Sequence, residues 1–70
     1  MEILDVRGLS CPLPVMRTQK ALEKNQEGIH VVGTGNTAKN NVTRFATSKG
    51  YQVRVVREDR DEWELSITKG

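Results

Sequence analysis

Apolar and polar residues recur along the chain with two different periods, and the change of period divides it into six predicted elements. Near the C-terminus, apolar residues alternate with polar ones, which is the period of a strand with one buried face. In two longer segments they recur at every third or fourth position, as in amphipathic helices. The predicted elements are a strand at 2–6, a helix at about 12–25, a strand at 29–34, a helix at 37–49, a strand at 51–58 and a last strand containing Trp63, Leu65 and Ile67.

The expected start of the first helix follows from the residues around a proline. Pro12 suits the first turn of a helix, because its missing N–H would have no partner there and its fixed φ is helical. Ser10 or Cys11 is expected to cap this helix. Residues 7–11 then form a turn, and the helix is expected to end near Gly28.

Later boundaries follow from glycines and polar clusters. We expect a loop at residues 33–36, with Asn36 or Thr37 capping the second helix and Gly50 ending it. The strongly polar segment 57–61 predicts a hairpin turn between the last two strands.

The order β-α-β-α-β-β predicts an α+β fold, a two-layer sandwich in which both helices cover one face of a four-stranded mixed sheet. Seventy residues predict a single domain, 1–70. The opposite face of the sheet is expected to show polar side chains to water, namely Arg54, Glu64, Ser66 and Thr68.

Composition narrows the class of protein. One cysteine cannot form an internal disulfide, which favours a reducing compartment over a secreted scaffold. No apolar run approaches the roughly 20 residues that span a bilayer, and the N-terminus lacks the pattern of a signal peptide. We therefore expect a cytoplasmic protein with no membrane association. The net charge of +2 permits an acidic partner without requiring nucleic acid.

The single cysteine lies in the segment RGLSCPLP, residues 7–14. A thiol reacts as its thiolate, and the unpaired N–H groups at the start of a helix favour that anion. Pro12 and Pro14 stiffen the chain beside Cys11, while Gly8 allows a sharp turn before it. These residues fit a reactive thiol, but they also fit a helix start that contains an incidental cysteine, and the local pattern leaves both interpretations open.

One side of the first helix is basic. Leu13, Arg17, Lys20 and Lys24 are spaced to share a stripe, and Val15, Thr18 and Leu22 are expected to pack on the sheet. A solvated lysine-rich face would have this pattern. A docking surface for an acidic partner, with Leu13 as an apolar contact beside Cys11, would have it as well.

Other candidate sites in the sequence are weak. His30 is the only histidine and is expected to be structural, on the surface or edge of the sheet. Without a second histidine or cysteine, no metal site is expected. The segment GTGNTA, residues 33–38, superficially fits a dinucleotide fingerprint, but the chain is too short for that fold. Its backbone amides could bind a small anion instead.

The segment LDVRGLSCPLPVMRTQKAL, residues 4–22, resembles the opening of the TusA/SirA/YedF family of sulfur-carrier proteins. The family's Cys-Pro-x-Pro motif is matched by residues 11–14, and the preceding Gly-Leu by residues 8 and 9. The segments at 36–53 and 67–70 look most like the YedF-type branch. The resemblance covers nearly the whole chain and implies the same βαβαββ sandwich.

The resemblance also implies a function. Cys11 would accept sulfane sulfur as a persulfide and pass it to another protein, as in tRNA thiolation or related sulfur or selenium metabolism. Gly8, Pro12 and Pro14 would support the motif, and Leu13, Arg17 and Lys20 would contact the partner. The donor would be a cysteine desulfurase or a rhodanese-like protein, and the acceptor a second protein. This is a sulfurtransferase-like carrier, monomeric and without a cofactor, rather than a stand-alone enzyme.

Two departures from the family pattern concern the partner. Leu13 stands where relatives often have an acidic or polar residue, and the loop at 33–36 is uncharged where it is often acidic. Two other classes stay open. A small RNA-binding module would use Arg54, Arg57 and Arg60, although the chain has only three aromatic residues. A regulatory domain would carry the cysteine without using it.

Overall fold

A computed structural model describes residues 2–70; Met1 of the expected domain lies outside the described residues. The order of elements is β-α-β-α-β-β, as predicted. The elements are β1 (Glu2–Asp5), α1 (Leu13–Lys24), β2 (Gly28–Thr34), α2 (Asn36–Ser48), β3 (Tyr51–Asp59) and β4 (Glu62–Lys69).

The four strands form one mixed sheet in the order β1-β2-β4-β3. β1 is parallel to β2, and β4 is antiparallel to both of its neighbours. Both helices lie on one face of this sheet and pack against each other. The predicted α+β two-layer sandwich is therefore confirmed. Neither helix of the described residues has the length and apolar character that crossing a membrane would need.

The core fills the space between the sheet and the helices. Alternation along β2 and β4 turns every second residue inward, so Ile29, Val31, Leu65 and Ile67 are fully buried. α1 contributes Ala21 and Leu22, and α2 contributes Val42 and Ala46. The apolar stripes predicted from periodicity are thus the buried faces of their elements. In α1 the buried side includes Pro14 and Ala21 in addition to the predicted Thr18 and Leu22.

Trp63 organises the junction between β2 and α2. Its ring lies directly over Gly33, where an added Cβ would overlap the indole. Its Nε1 donates a hydrogen bond of 2.9 Å to the carbonyl oxygen of Gly35. A glycine is required at position 33 because the indole occupies the space of a side chain.

The predicted helix caps are wrong. α1 begins at Leu13 with Pro12 at the N-cap position, and no side chain caps it. Instead, the N–H of Leu13 donates to the backbone oxygen of Ser10 at 2.8 Å. α2 begins at Asn36, and the cap position is held by Gly35, again without a side-chain bond. Asn36 therefore lies inside the helix instead of before it.

Gly28 does not end α1, which stops at Lys24 and is capped at Asn25. Gly28 is the first residue of β2, with a φ of 147°. A Cβ there would come within 2.5 Å of the carbonyl oxygen of Ile67. A glycine is needed at this position because β2 and β4 approach each other too closely for a side chain.

The hairpin between β3 and β4 is tighter than the predicted turn at 57–61. The strands continue to Asp59 and resume at Glu62, and Arg60 takes a φ of 49° in the turn. Ion pairs across the strands accommodate the charged residues that suggested a longer turn. β3 contains a bulge: Val55 faces Leu65 and Arg57 faces Glu64, so Val56 has no partner in β4.

Candidate functional site

The loop that carries Cys11 connects the end of β1 to α1. It leaves the sheet at Val6, which is buried and whose N–H donates to the oxygen of Val32 at 2.8 Å. Gly8 turns the chain with a φ of 75°, a conformation that favours glycine. Its N–H donates to Oγ1 of Thr34 at 2.9 Å, which ties the loop to the end of β2.

Cys11 itself is exposed and precedes Pro12, the N-cap residue of α1. The peptide bond to Pro12 is cis. Pro14 is buried in the first turn of the helix, and its carbonyl oxygen accepts a bond of 2.8 Å from the buried hydroxyl of Thr18. The helix beyond the thiol is thus fixed on the core, while the thiol faces outward.

A cavity of about 170 Å³ opens beside Cys11, between the N-terminal ends of the two helices. From the loop and α1 it is lined mainly by apolar groups. On the side of the β2–α2 junction, several of its lining residues carry polar groups. The lining residues are Leu9, Cys11, Pro12, Pro14, Val15, Thr34, Gly35, Thr37, Ala38 and Asn41.

The loop after β2 forms the far wall of this cavity and is itself held by the β3–β4 hairpin. The N–H of Gly35 donates to the oxygen of Asp61 at 2.8 Å. The oxygen of Gly35 accepts bonds from Trp63 Nε1 and from the N–H of Lys39. Both backbone groups of Gly35 are therefore used within the fold, and its amide is not available for the small anion that the sequence suggested.

The basic side of α1 faces β1, on the other side of the helix from the cavity beside Cys11. Leu13 is 39% exposed and Met16 is 49% exposed, so two large apolar side chains reach the surface in the first turn. Arg17 and Lys20 follow, and with Lys24 they line a groove between α1 and β1. Within residues 2–70, neither Arg17 nor Lys20 forms an ion pair.

The face of the sheet away from the helices carries a chain of ion pairs. Arg7 binds Asp5 at 2.8 Å and Glu62 at 3.5 Å. Arg57 pairs with Glu62 and also with Glu64, the latter at 2.6 Å. His30 lies on the same face, with Nε2 2.7 Å from Oε1 of Glu64. This contact fits the structural role expected for the histidine.

These contacts shift the acidity of the carboxyl groups. Hydrogen bonds from Arg7 lower the pKa of Asp5 from 3.8 to about 2. A hydrogen bond from Arg57 lowers the pKa of Glu62, and hydrogen bonds from His30 and then Arg57 lower that of Glu64. The three carboxylates are thus held in their charged forms. No group of three or more histidine, cysteine, aspartate or glutamate residues within 2–70 could hold a metal ion.

The structure brings together some of the site residues named from sequence and separates others. Cys11, Pro12 and Pro14 share the cavity, and Gly8 holds the turn that leads to it. Arg17 and Lys20 lie along the groove between α1 and β1, on the other side of the helix from the cavity, and Leu13 is exposed in the first turn of α1.

Sequence reasoning missed Thr34, Thr37 and Asn41 on the far wall of the cavity. One signal could have found them. In a β-α-β unit with parallel strands, the segments that follow the two strands lie at the same edge of the sheet. The loops after β1 and β2 are therefore neighbours.

Comparisons with known proteins agree with this architecture. The family model described as Sulfurtransferase TusA matches residues 2–69. The chain is 31% identical over 68 residues to the sulfur carrier protein TusA of Allochromatium vinosum, covering 94% of this chain and 90% of that protein. It is 42% identical over 71 residues to a protein of Methanocaldococcus jannaschii provisionally named as a sulfur carrier, covering 99% of this chain and 95% of that one.

A solved structure gives the same result. The crystal structure of a SirA-like protein from Desulfitobacterium hafniense superposes with a TM-score of 0.85 at 30% identity, covering 100% of this chain and 99% of the other. With the fold, the extent of the match and the cysteine segment in agreement, the chain belongs to the TusA sulfurtransferase family.

Proposed function

We propose that this protein carries sulfane sulfur as a persulfide on Cys11 and passes it to a partner protein. The observation that carries the proposal is an exposed thiol at the start of α1 that opens onto a cavity between both helix N-termini. Membership of a family of sulfur carriers supports the same chemistry.

The transfer needs no added oxidant or reductant. The Cys11 thiolate attacks the terminal sulfur of a cysteine persulfide on the donor. The donor's S–S bond breaks as the new S–S bond forms, and the donor cysteine leaves as a thiolate. In the second transfer, an acceptor thiolate attacks the terminal sulfur on Cys11 and releases the Cys11 thiolate. The partners supply the other thiols, so one cysteine is sufficient.

The cavity beside Cys11 suits the added sulfur atom. Its walls are apolar on the side of Leu9, Pro12 and Val15. Thr37 and Asn41 on the opposite wall carry hydrogen-bond donors. We infer that a terminal sulfur placed between these walls is partly shielded from solvent while it awaits an acceptor.

The basic side of α1 is the proposed docking surface for acidic partner proteins. Leu13 offers an apolar contact next to the thiol, and Arg17 and Lys20 provide cations that the fold leaves unpaired among the described residues. Aliphatic contact with surrounding charge is typical of transient interfaces, in which charge speeds encounter.

Loading of sulfur tests the chemistry directly. The purified protein is incubated with a cysteine desulfurase and cysteine, or with a rhodanese and thiosulfate, and its intact mass is measured before and after reduction. We expect the mass of one sulfur atom to appear on the wild type, to vanish on reduction and to be absent from Cys11→Ser. An unchanged mass with both donors would contradict the proposal and favour a regulatory domain with an unused cysteine.

A charge reversal tests the docking surface. We expect Arg17→Glu combined with Lys20→Glu to slow sulfur uptake from an acidic donor protein by about tenfold, because favourable charge no longer guides encounter. The matched control is Lys49→Glu combined with Lys69→Glu at the opposite ends of the helices and sheet. Equal slowing by both pairs would mean that net charge, rather than this surface, sets the rate.

The RNA-binding alternative finds less support. Arg57, one of the three arginines that suggested it, is engaged by two glutamates. Trp63 is buried in the core, and Tyr51 lies on the helix-covered side of β3, opposite to Arg54. The open face of the described sheet thus lacks the aromatic side chains on which RNA bases stack.

A further inference from the structure

Thr34 joins two segments that are far apart in sequence. It is the last residue of β2, and its Oγ1 accepts the N–H of Gly8 across 26 positions of the chain. Gly8 is the point at which the cysteine loop turns, with a φ of 75°. The bond therefore holds the turn at Gly8, and a change in the path of the chain at that turn would move Cys11.

The other backbone hydrogen bonds of the cysteine loop are local. Arg7 donates its N–H to Asp5, Leu9 donates to Val6, and the oxygen of Ser10 accepts from Leu13. Among the described residues, the bond to Thr34 is the only one that ties the backbone of residues 7–11 to another strand. It holds the middle of the loop to the end of β2, while the side chain of Arg7 contacts Glu62 from the start of the loop.

Thr34 is itself firmly placed. It pairs with Glu62 in the sheet, and the adjoining Gly35 is bonded to Asp61 and Trp63. Thr34 also lines the cavity beside Cys11. A continuous set of contacts therefore runs from the buried indole of Trp63 through the end of β2 to the turn that carries the thiol.

We propose that Thr34 is a positioning residue for Cys11. Its hydroxyl holds Gly8 so that the thiol stays at the cavity between the N-terminal ends of α1 and α2. This inference rests on the proposed function of Cys11. It assigns a role to a residue outside the Cys-Pro-x-Pro segment.

The test uses substitutions that differ by one hydroxyl. Thr34→Val keeps the shape of the side chain and removes the acceptor, whereas Thr34→Ser keeps the acceptor. We expect the rate of Cys11 alkylation by iodoacetamide at neutral pH to change by about two- to tenfold in Thr34→Val, because the loop loses the bond that fixes its position; this is the range for loss of one ordinary hydrogen bond. We expect Thr34→Ser to retain the wild-type rate and pH profile, while Thr34→Val departs from both.

Two further measurements and one additional variant make the result decisive. Thermal unfolding must show that the variants are folded, and Thr34→Ala provides a second removal of the hydroxyl if Thr34→Val is not. The amide of Gly8 should exchange hydrogen faster when the acceptor is absent. Equal alkylation rates and pH profiles in wild type and a folded hydroxyl-free variant would overturn the proposal.

Alkylation does not depend on sulfur transfer, so the two proposals can fail separately. A protein that takes up no sulfur but shows the Thr34 effect would reject the carrier function and leave the positioning role intact. A protein that takes up sulfur normally in both hydroxyl-free and hydroxyl-bearing variants, at equal alkylation rates, would reject only the positioning role.

Discussion

The two faces of the sheet are held by different forces. The face under the helices is apolar and closed, with Ile29, Val31 and Leu65 fully buried. The opposite face is open and mainly polar, and several of its side chains form a chain of ion pairs from Asp5 to His30. The same four strands carry both patterns because successive residues point to opposite sides.

The buried face contributes most of the stability of the fold, whereas the open face fixes the positions of particular side chains. Burial of apolar area is the main favourable term in folding, and its free energy depends little on how the buried groups are oriented. Ion pairs on an exposed surface contribute little to stability but join particular atoms. On the open face, Arg7 connects Asp5 and Glu62 to the start of the cysteine loop. We therefore expect substitutions under the helices to affect folding, and those on the open face to affect the loop and the pH response.

The largest expected effect comes from Leu65→Ala on the closed face. The side chain is fully buried at the centre of β4, so its truncation removes apolar contacts and leaves a cavity. We expect the free energy of unfolding to fall by about 2–5 kcal/mol, measured by urea denaturation. In a domain of this size, such a loss would leave little net stability.

The adjacent residue provides the matched control. Ser66 lies next to Leu65 but on the open face, opposite Arg54. We expect Ser66→Ala to change the free energy of unfolding by less than about 0.5 kcal/mol. Similar losses at positions 65 and 66 would mean that the two faces are not energetically distinct.

A smaller effect is expected from acid on the open face. The lowered pKa values of Asp5, Glu62 and Glu64 mean that the unfolded chain takes up protons at a higher pH than the folded one. Their contribution to stability is present near neutral pH and is lost as the pH falls from about 5 towards 2. Urea denaturation at a series of pH values measures this loss.

Arg7→Met should make the loss on acidification shallower, because Asp5 and Glu62 each lose a hydrogen-bond donor. Arg54→Met is the control, since Arg54 forms no ion pair within residues 2–70. If Arg54→Met flattened the pH response as much as Arg7→Met, general charge rather than these contacts would explain it.

Much of the fold could be predicted because residues that are buried in a strand or helix recur in the sequence with the period of that element. The alternation of Trp63, Leu65 and Ile67 with polar residues marks the closed face of β4, and the structure buries all three. Helix ends were less predictable. Ser10 and Asn36 are good capping residues, yet neither caps its helix. The backbone oxygen of Ser10 accepts from Leu13, and Asn36 lies inside α2 after Gly35.

The candidate site could be predicted only in its local part. Cys11, Pro12 and Pro14 are consecutive or nearly so, and their pattern is visible in one short segment. Thr34 and Asn41 reach the same cavity through the parallel pairing of β1 with β2. No local pattern marks such residues, because their role depends on the packing of distant segments.

The bulge in β3 affects the tendency of the protein to self-associate through the edge of its sheet. β3 is an edge strand of nine residues, and regular edges offer rows of N–H and C=O groups to which another chain can add. At Val56, which is 51% exposed, the extra residue interrupts that row and increases the local twist. Arg54 and Arg57, which flank the two exposed valines, oppose flat, edge-to-edge pairing as well. The bulge therefore works against aggregation at the edge of the sheet.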